Sequence, residues 1–190
     1  MASDLPGMLI IRAHFGWPAL AAITLATGLG GGTASWGAES PVNDVVLVDQ
    51  HGKGDSLGAH RGRLVVALVV QSRRLRQLKG WELRIREALD DPEAVHFLRV
   101  ADIRPGRGTT RARVLSKLEG RVPPEVSILI DLAGEWREGL GLDTRKPNVL
   151  LFDVDGRLLH RILGPVSPSV AEELAARIAE LAERAMKGAP

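Results

Sequence analysis

Arg73, Arg74 and Arg76 lie beyond an apolar run that ends at Val70, separated from it by Gln71 and Ser72. An arginine presents a planar fork of donors that matches a carboxylate or a phosphate. The residues beyond predict a helix beginning here, and a helix start adds free amide hydrogens and a positive dipole end. The three arginines are therefore candidates for binding a small anion or a partner protein. The competing account is a solvated charged face, paired with Glu82 or Glu87. A second candidate edge is Lys146, Pro147 and Asn148, where proline could leave adjoining backbone open to an extended peptide. The plainer account is a constrained turn needed to build the following hairpin.

The sequence contains no cysteine. No thiolate nucleophile or resolving thiol exists, which excludes disulfide exchange and thiol peroxidase chemistry. Ser72 lacks a recognisable base and is a poor substitute nucleophile; no catalytic residue is assigned. His51 and His60 flank a polar loop with Asp49 and Asp55, while His96 falls in a strand and His160 in a hairpin. Their spacing gives no compact ligand set, so neither metal nor cofactor is expected. Asp153 and Asp155 precede Gly156 and read as turn residues rather than a catalytic pair. Arg104, Arg107, Arg111 and Arg113 make the densest basic stretch, read as a solvated loop punctuated by Pro105, Gly106 and Gly108. A net charge of only +2 and little aromatic interleaving argue against nucleic acid as a partner.

These residues need a scaffold, and the apolar pattern supplies one. Asn43–Asp49 reads as a first strand. Leu64–Val70 is apolar at successive positions, as in a central strand buried on both faces. Leu75, Leu78, Trp81, Ile85 and Leu89 recur at helical spacing, with Ser72 as the expected cap and Asp90-Asp91-Pro92 as the stop. Val95–Ile103 is the next strand, and Val114, Leu115 and Leu118 predict a short helix ending near Gly120. Val126–Leu132 is a further strand, and Leu140–Pro147 a turn. Asn148–Phe152 and Leu158–Leu163 form a hairpin around Asp155-Gly156. A last helix starts with Ser167-Pro168 as cap and first residue, or with a Ser169/Glu172 capping box, and buries Val170, Leu174, Ile178 and Leu181. The class is α/β, a mixed sheet flanked by helices. Trp81 and Trp136 read as core or groove-edge residues.

This order resembles the thioredoxin-like superfamily. Pro147 sits just before the hairpin strand, where that superfamily places its characteristic proline. Asn148–Phe152 with Asp155-Gly156 is similar to its hairpin, and Asp49-Gln50-His51-Gly52 resembles the Asp-x-x-Gly turn of peroxiredoxin-type proteins. Gly62–Val70, Leu98–Pro105 and Ser127–Gly164 are similar to the YtfJ family of bacterial periplasmic proteins. The resemblance implies a thioredoxin-like mixed sheet. It also implies that a catalytic member would carry its cysteine motif where this chain has Gln71–Gln77.

The N-terminus has the grammar of an export signal. Arg12 precedes an apolar run from Phe15 to Leu29, then Gly30–Gly32, with small residues favouring cleavage after Ala34 and Ala38 as the alternative. Met8 is an alternative start. The expected organisation is a signal peptide over 1–34, a flexible mature N-terminus over 35–41 and a thioredoxin-like domain over 42–187. The expected location is periplasmic or secreted, with no stable membrane span after cleavage. The leading functional expectation is a non-enzymatic exported protein that binds a periplasmic protein or a small anionic ligand. The alternatives are a thioredoxin- or peroxiredoxin-related redox protein using non-cysteine chemistry, and a structural subunit of a periplasmic complex.

Overall fold

The computed structural model describes residues 39–104, 110–119 and 122–188. The stretch read as an export signal, and Pro105–Gly108 with Arg107 in the basic loop, lie outside the described residues, as does Gly120.

The strand expected over Leu64–Val70 forms as β3, Leu64–Gln71, and every residue in it is buried. Such a strand must sit inside a sheet with both faces covered. It pairs in parallel with β4, Val95–Asp102, and antiparallel with β6, Asn148–Phe152. The other strands are β1 (Leu47–Asp49), β2 (Gly54–Asp55), β5 (Leu129–Asp131) and β7 (Leu158–Leu163). Together they make a seven-stranded mixed sheet in the order β2-β1-β5-β4-β3-β6-β7.

The two-residue period of β3 divides the core. Val66, Leu68 and Val70 face α1 (Arg76–Ala88) and α4 (Pro168–Gly188), meeting Leu78, Trp81, Ile85, Leu174 and Ile178. Val65, Ala67 and Val69 face the opposite layer, which includes Val42, Leu57, Leu98, Trp136, Leu150 and Phe152. Trp81 and Trp136 are both core residues with no exposed surface. The Trp81 indole donates to the Gly164 carbonyl at 3.0 Å, tying α1 to the lead-in of α4. A third cluster joins Leu118 of α2 (Arg111–Glu119) to Ala101, Ile103, Ile128 and Ile130.

Four expectations change. The first strand is confined to Leu47–Asp49, because residues 41–44 turn and the Asn43 carbonyl accepts the Gly58 amide at 2.8 Å. The strand expected over Val126–Leu132 shrinks to Leu129–Asp131, because the Gln50 side chain takes the Ile128 amide at 2.9 Å and donates to the Val126 carbonyl. Ser72 does not cap α1; it opens a 3-10 turn, Ser72–Arg74, that leads into the helix without a side-chain cap. A short helix, α3 (Glu135–Gly139), precedes the expected Leu140 turn. At α4 the Ser167 hydroxyl accepts the Val170 amide at 3.3 Å, so the Ser167-Pro168 alternative forms. Glu39 pairs with Arg157 in an isolated antiparallel bridge, and Ser40 is buried.

Three Asp-x-x-Gly turns close the ends of β1, β5 and β6, the first and third with the same bonding pattern. Asp49 accepts the amides of His51 and Lys53; Asp131 those of Gly134, Glu135 and Trp136; Asp153 those of Asp155 and Arg157. The glycines at 52, 134 and 156 all have φ between 77° and 82°. A Cβ on Gly52 would meet nothing within 4 Å, whereas one on Gly156 would lie 2.7 Å from the side chain of buried Asn43. Gly52→Ala is expected to cost about 1–2 kcal/mol from backbone strain alone. Gly156→Ala adds overpacking and is expected to cost about 2–4 kcal/mol. Urea unfolding of the two variants checks the order.

Candidate functional site

The parallel strands bring a polar group to their shared C-terminal end. Gln71 stands opposite Asp102, and Asp102 opposite Asp131. Asp131 is consumed by its turn. Asp102 is 1% exposed; its Oδ2 accepts the Thr144 hydroxyl and faces Arg104 Nε at 3.5 Å. Arg104 also donates to Thr144 Oγ1 at 3.4 Å, and the Thr144 carbonyl accepts the Gln71 amide at 2.8 Å. Among the described residues no donor reaches Asp102 Oδ1 or Gln71 Oε1, both in side chains at least nine-tenths buried. A buried acceptor without a donor costs about 1–3 kcal/mol, so these two oxygens are places where a donor group would gain.

The chain leaves this group through the three arginines. Arg73 and Arg74 lie in the 3-10 turn and Arg76 opens α1; all are exposed. None makes a hydrogen bond or ion pair among the described residues. The carboxylates expected to pair with them are occupied elsewhere: Glu82 by Arg86 and Arg99, Glu87 by Arg84. Burial pushes the Glu82 carboxyl up, but its bonds to Arg99 and Arg86 outweigh this and hold it below the usual range. The first turn of α1 has no acidic residue, so three cations stand unpartnered at the positive end of the helix.

The second predicted edge is closed. Asn148 has no exposed surface, and its amide nitrogen donates to the Asp143 and Lys146 carbonyls at 3.1 and 3.0 Å. Its oxygen accepts from Arg161 at 3.3 Å. Pro147 is buried and its carbonyl accepts the Gly164 amide at 2.9 Å. The Lys146 amide donates to the Asp143 carbonyl at 3.3 Å. Backbone that would pair with an extended peptide here is already bonded within the loop. Only the Lys146 side chain reaches solvent, so the turn is what Pro147 and Asn148 build. The neighbouring Asp143 carboxyl is held down at about 2, chiefly by its bond to Arg145.

Sequence reasoning passed over Asp102 and Thr144. An aspartate directly after the apolar pair Val100-Ala101 at the end of β4 is the signal that could have marked the first. Thr144 carries no such mark, since it reaches Asp102 across 42 residues of chain.

The opposite end of the sheet carries a second polar group. His96 stands opposite Val65 near the start of β4. Its ring stacks on His60 with centroids 3.8 Å apart, and His60 Nε2 lies 2.8 Å from Asp55 Oδ1. The fold thus gathers Asp55, His60 and His96, whose spacing along the chain gave no compact set. Burial, then the neighbouring His60, pulls the His96 pKa down to about 4; Asp55 opposes and Arg63 and Arg99 add to the effect.

Solved structures share this architecture. The exposed lipoprotein thioredoxin of Streptococcus pneumoniae is 21% identical, with a TM-score of 0.55 over 72% of this chain and 98% of its own. A putative thiol:disulfide interchange protein DsbE of Chlorobium tepidum is 18% identical, with a TM-score of 0.58 over 79% and 99%. A putative thioredoxin of Neisseria meningitidis is 15% identical, with a TM-score of 0.53 over 75% and 92%. The fold is thioredoxin-like. No family model matches the chain, and no curated protein matches it. The thioredoxin-like fold is therefore present without any cysteine, and thiol-based catalysis is excluded. Among the described residues no helix is long and apolar enough to cross a membrane.

A pH dependence follows from His96. The unfolded histidine has a pKa of 6.5 and the folded one about 4, so the unfolded chain binds more protons between those values. Stability from this group is complete above the upper value and declines as pH falls toward the lower. In chelator-treated protein, His96→Gln is expected to flatten the fall in urea midpoint between about pH 6.5 and 5.5, above most carboxylate titrations. An unchanged slope would remove the assignment to His96.

Proposed function

We propose that this is a non-enzymatic, exported thioredoxin-like protein that binds a partner protein through an acidic segment. The observation that carries the reading is the unpaired group Arg73, Arg74 and Arg76, beside the strand end where a catalytic member would carry its thiols. Cations at a helix start cost stability, by about 0.3–1 kcal/mol each where partly exposed. An acidic segment would relieve that cost. The acceptors Gln71 Oε1 and Asp102 Oδ1 favour a ligand that also brings N–H or O–H donors, which a peptide has and a bare anion lacks.

The signal-like N-terminus supports export, with a signal over 1–34 and the domain beyond it. The likeness to an exposed lipoprotein thioredoxin points the same way. The stretches similar to the YtfJ family support placing the chain beside that periplasmic group. A structural subunit of a periplasmic complex is the same face used permanently rather than transiently. Redox chemistry without cysteine has no supporting group at the strand end.

The test compares the purified wild-type protein with Arg73→Glu/Arg74→Glu as baits in a periplasmic extract, with crosslinking. A specific partner is expected with wild type, lost from the double variant and weakened by salt. The same variant is expected to be more stable to urea by about 0.5–2 kcal/mol, since it replaces cations with anions at the positive helix end. Equal capture by both baits would move binding to another surface. A less stable variant would show that the arginines serve the fold.

A further inference from the structure

We propose that Asp55, His60 and His96 form a binding site for a divalent transition-metal ion, with zinc the ion that fits the donor set best. One donor atom from each residue lies within 4.8 Å of the other two. The donors come from β2, from the last residue of the Leu57–His60 turn and from β4. Two imidazole nitrogens and one carboxylate oxygen suit zinc, copper or nickel; magnesium and calcium prefer oxygen alone. The site does not rest on the arginine face, which lies at the other end of β3 and β4.

The surroundings hold the donors in place. Asp55 pairs with Leu47 across the β1–β2 ladder, and its Oδ1 also accepts the Ser56 amide at 2.8 Å. Ser56 caps the turn that carries His60, its hydroxyl accepting the Ala59 amide at 3.2 Å. His96 is fixed by the β3–β4 ladder. The His60 and Asp55 side chains are only 17% and 25% exposed, so a bound ion would be partly shielded from water.

The donor geometry shows what binding requires. A tetrahedral zinc with bonds of about 2.0–2.1 Å holds its donors roughly 3.3 Å apart, so the widest pair closes by about 1.5 Å at most. The ion would replace the His60–Asp55 hydrogen bond. The stacked rings, now 18° from parallel, must also turn so that both nitrogens point at one centre.

Charge and space are compatible with an ion. Asp55 and His96 line a cavity of about 180 Å³ together with Asp49, Lys53, Glu125 and Ser127. That leaves a fourth coordination position for water or a small ligand. Of the cations nearby, Arg99 is already paired with Glu82, and Arg63 donates to the Glu93 carbonyl at 3.1 Å. Asp49 is held ionised: burial raises its carboxyl, but the Ser127 hydroxyl and the Lys53 and His51 amides bring it below its usual value.

The test uses the full chain stripped with chelator and titrated with zinc chloride by calorimetry at neutral pH. One zinc per chain is expected, with copper and nickel competing and magnesium and calcium silent. His60→Gln and His96→Gln are expected to weaken binding by at least about ten-fold, with circular dichroism showing that they fold. If either variant fails to fold, histidine ring resonances of the wild-type protein decide. Zinc must shift the signals of His60 and His96 and leave His51 and His160 in place. No saturable binding up to about 1 mM zinc, undiminished binding in both variants, or shifts confined to His51, His160 or His14 would overturn the site.

Discussion

The burial of β3 along its whole length is the constraint on which the other features depend. Eight consecutive residues, Leu64–Gln71, are removed from water on both faces. Their backbone groups must then be paired on both sides, because unpaired buried amides and carbonyls are costly. β4 and β6 supply those pairs. The side chains must also be covered twice, which brings α1 and α4 to one face and the Trp136 layer to the other. Once this strand is placed, its two ends become fixed points. Gln71 meets Asp102 at one end, and His96 stands beside Val65 at the other.

The two ends differ in what they ask of their surroundings. At the C-terminal end, among the described residues, the Asp102 Oδ1 and Gln71 Oε1 acceptors have no donor inside the fold, while Arg73, Arg74 and Arg76 stand unpaired outside it. That combination is poor for stability and suited to a partner bringing both carboxylates and donor groups. At the N-terminal end, His60 and His96 stack, and His60 faces the Asp55 carboxylate. Burial and the neighbouring ring disfavour charge on His96, which leaves that ring a nitrogen lone pair. A thioredoxin-like scaffold without thiols thus retains polar groups at both ends of its central strands, with different chemistry at each.

The repeated Asp-x-x-Gly turn shows how the scaffold closes its strands without large loops. At Asp49, Asp131 and Asp153 a carboxylate gathers the amides of the residues that follow it, while a glycine takes the positive φ the turn requires. The turn is cheap in residues and fixed in geometry. It places Lys53 and Asp55 beside the start of β4, starts α3 under the core, and sets the β6–β7 register. These aspartates therefore serve the backbone, even where a pair such as Asp153 and Asp155 could pass for chemistry.

The sequence by itself determined the central strand, the β6–β7 hairpin, the helical stripes of α1 and α4, and the absence of thiol chemistry. Each follows from local periodicity, turn residues or composition, and needs no knowledge of distant contacts. It also marked Arg73, Arg74 and Arg76, because their clustering is local. It left Lys146, Pro147 and Asn148 either as an open edge or as a constrained turn, and the fold buries Asn148, whose amide is bonded by carbonyls and by an arginine from the next strand. It did not show Asp102 with Thr144, or Asp55 and His60 with His96. Those groups form only when strands from separate parts of the chain are laid side by side. Tertiary structure decided them because hydrogen-bond and ligand distances of 3–5 Å depend on sheet register, which no spacing along a single chain encodes.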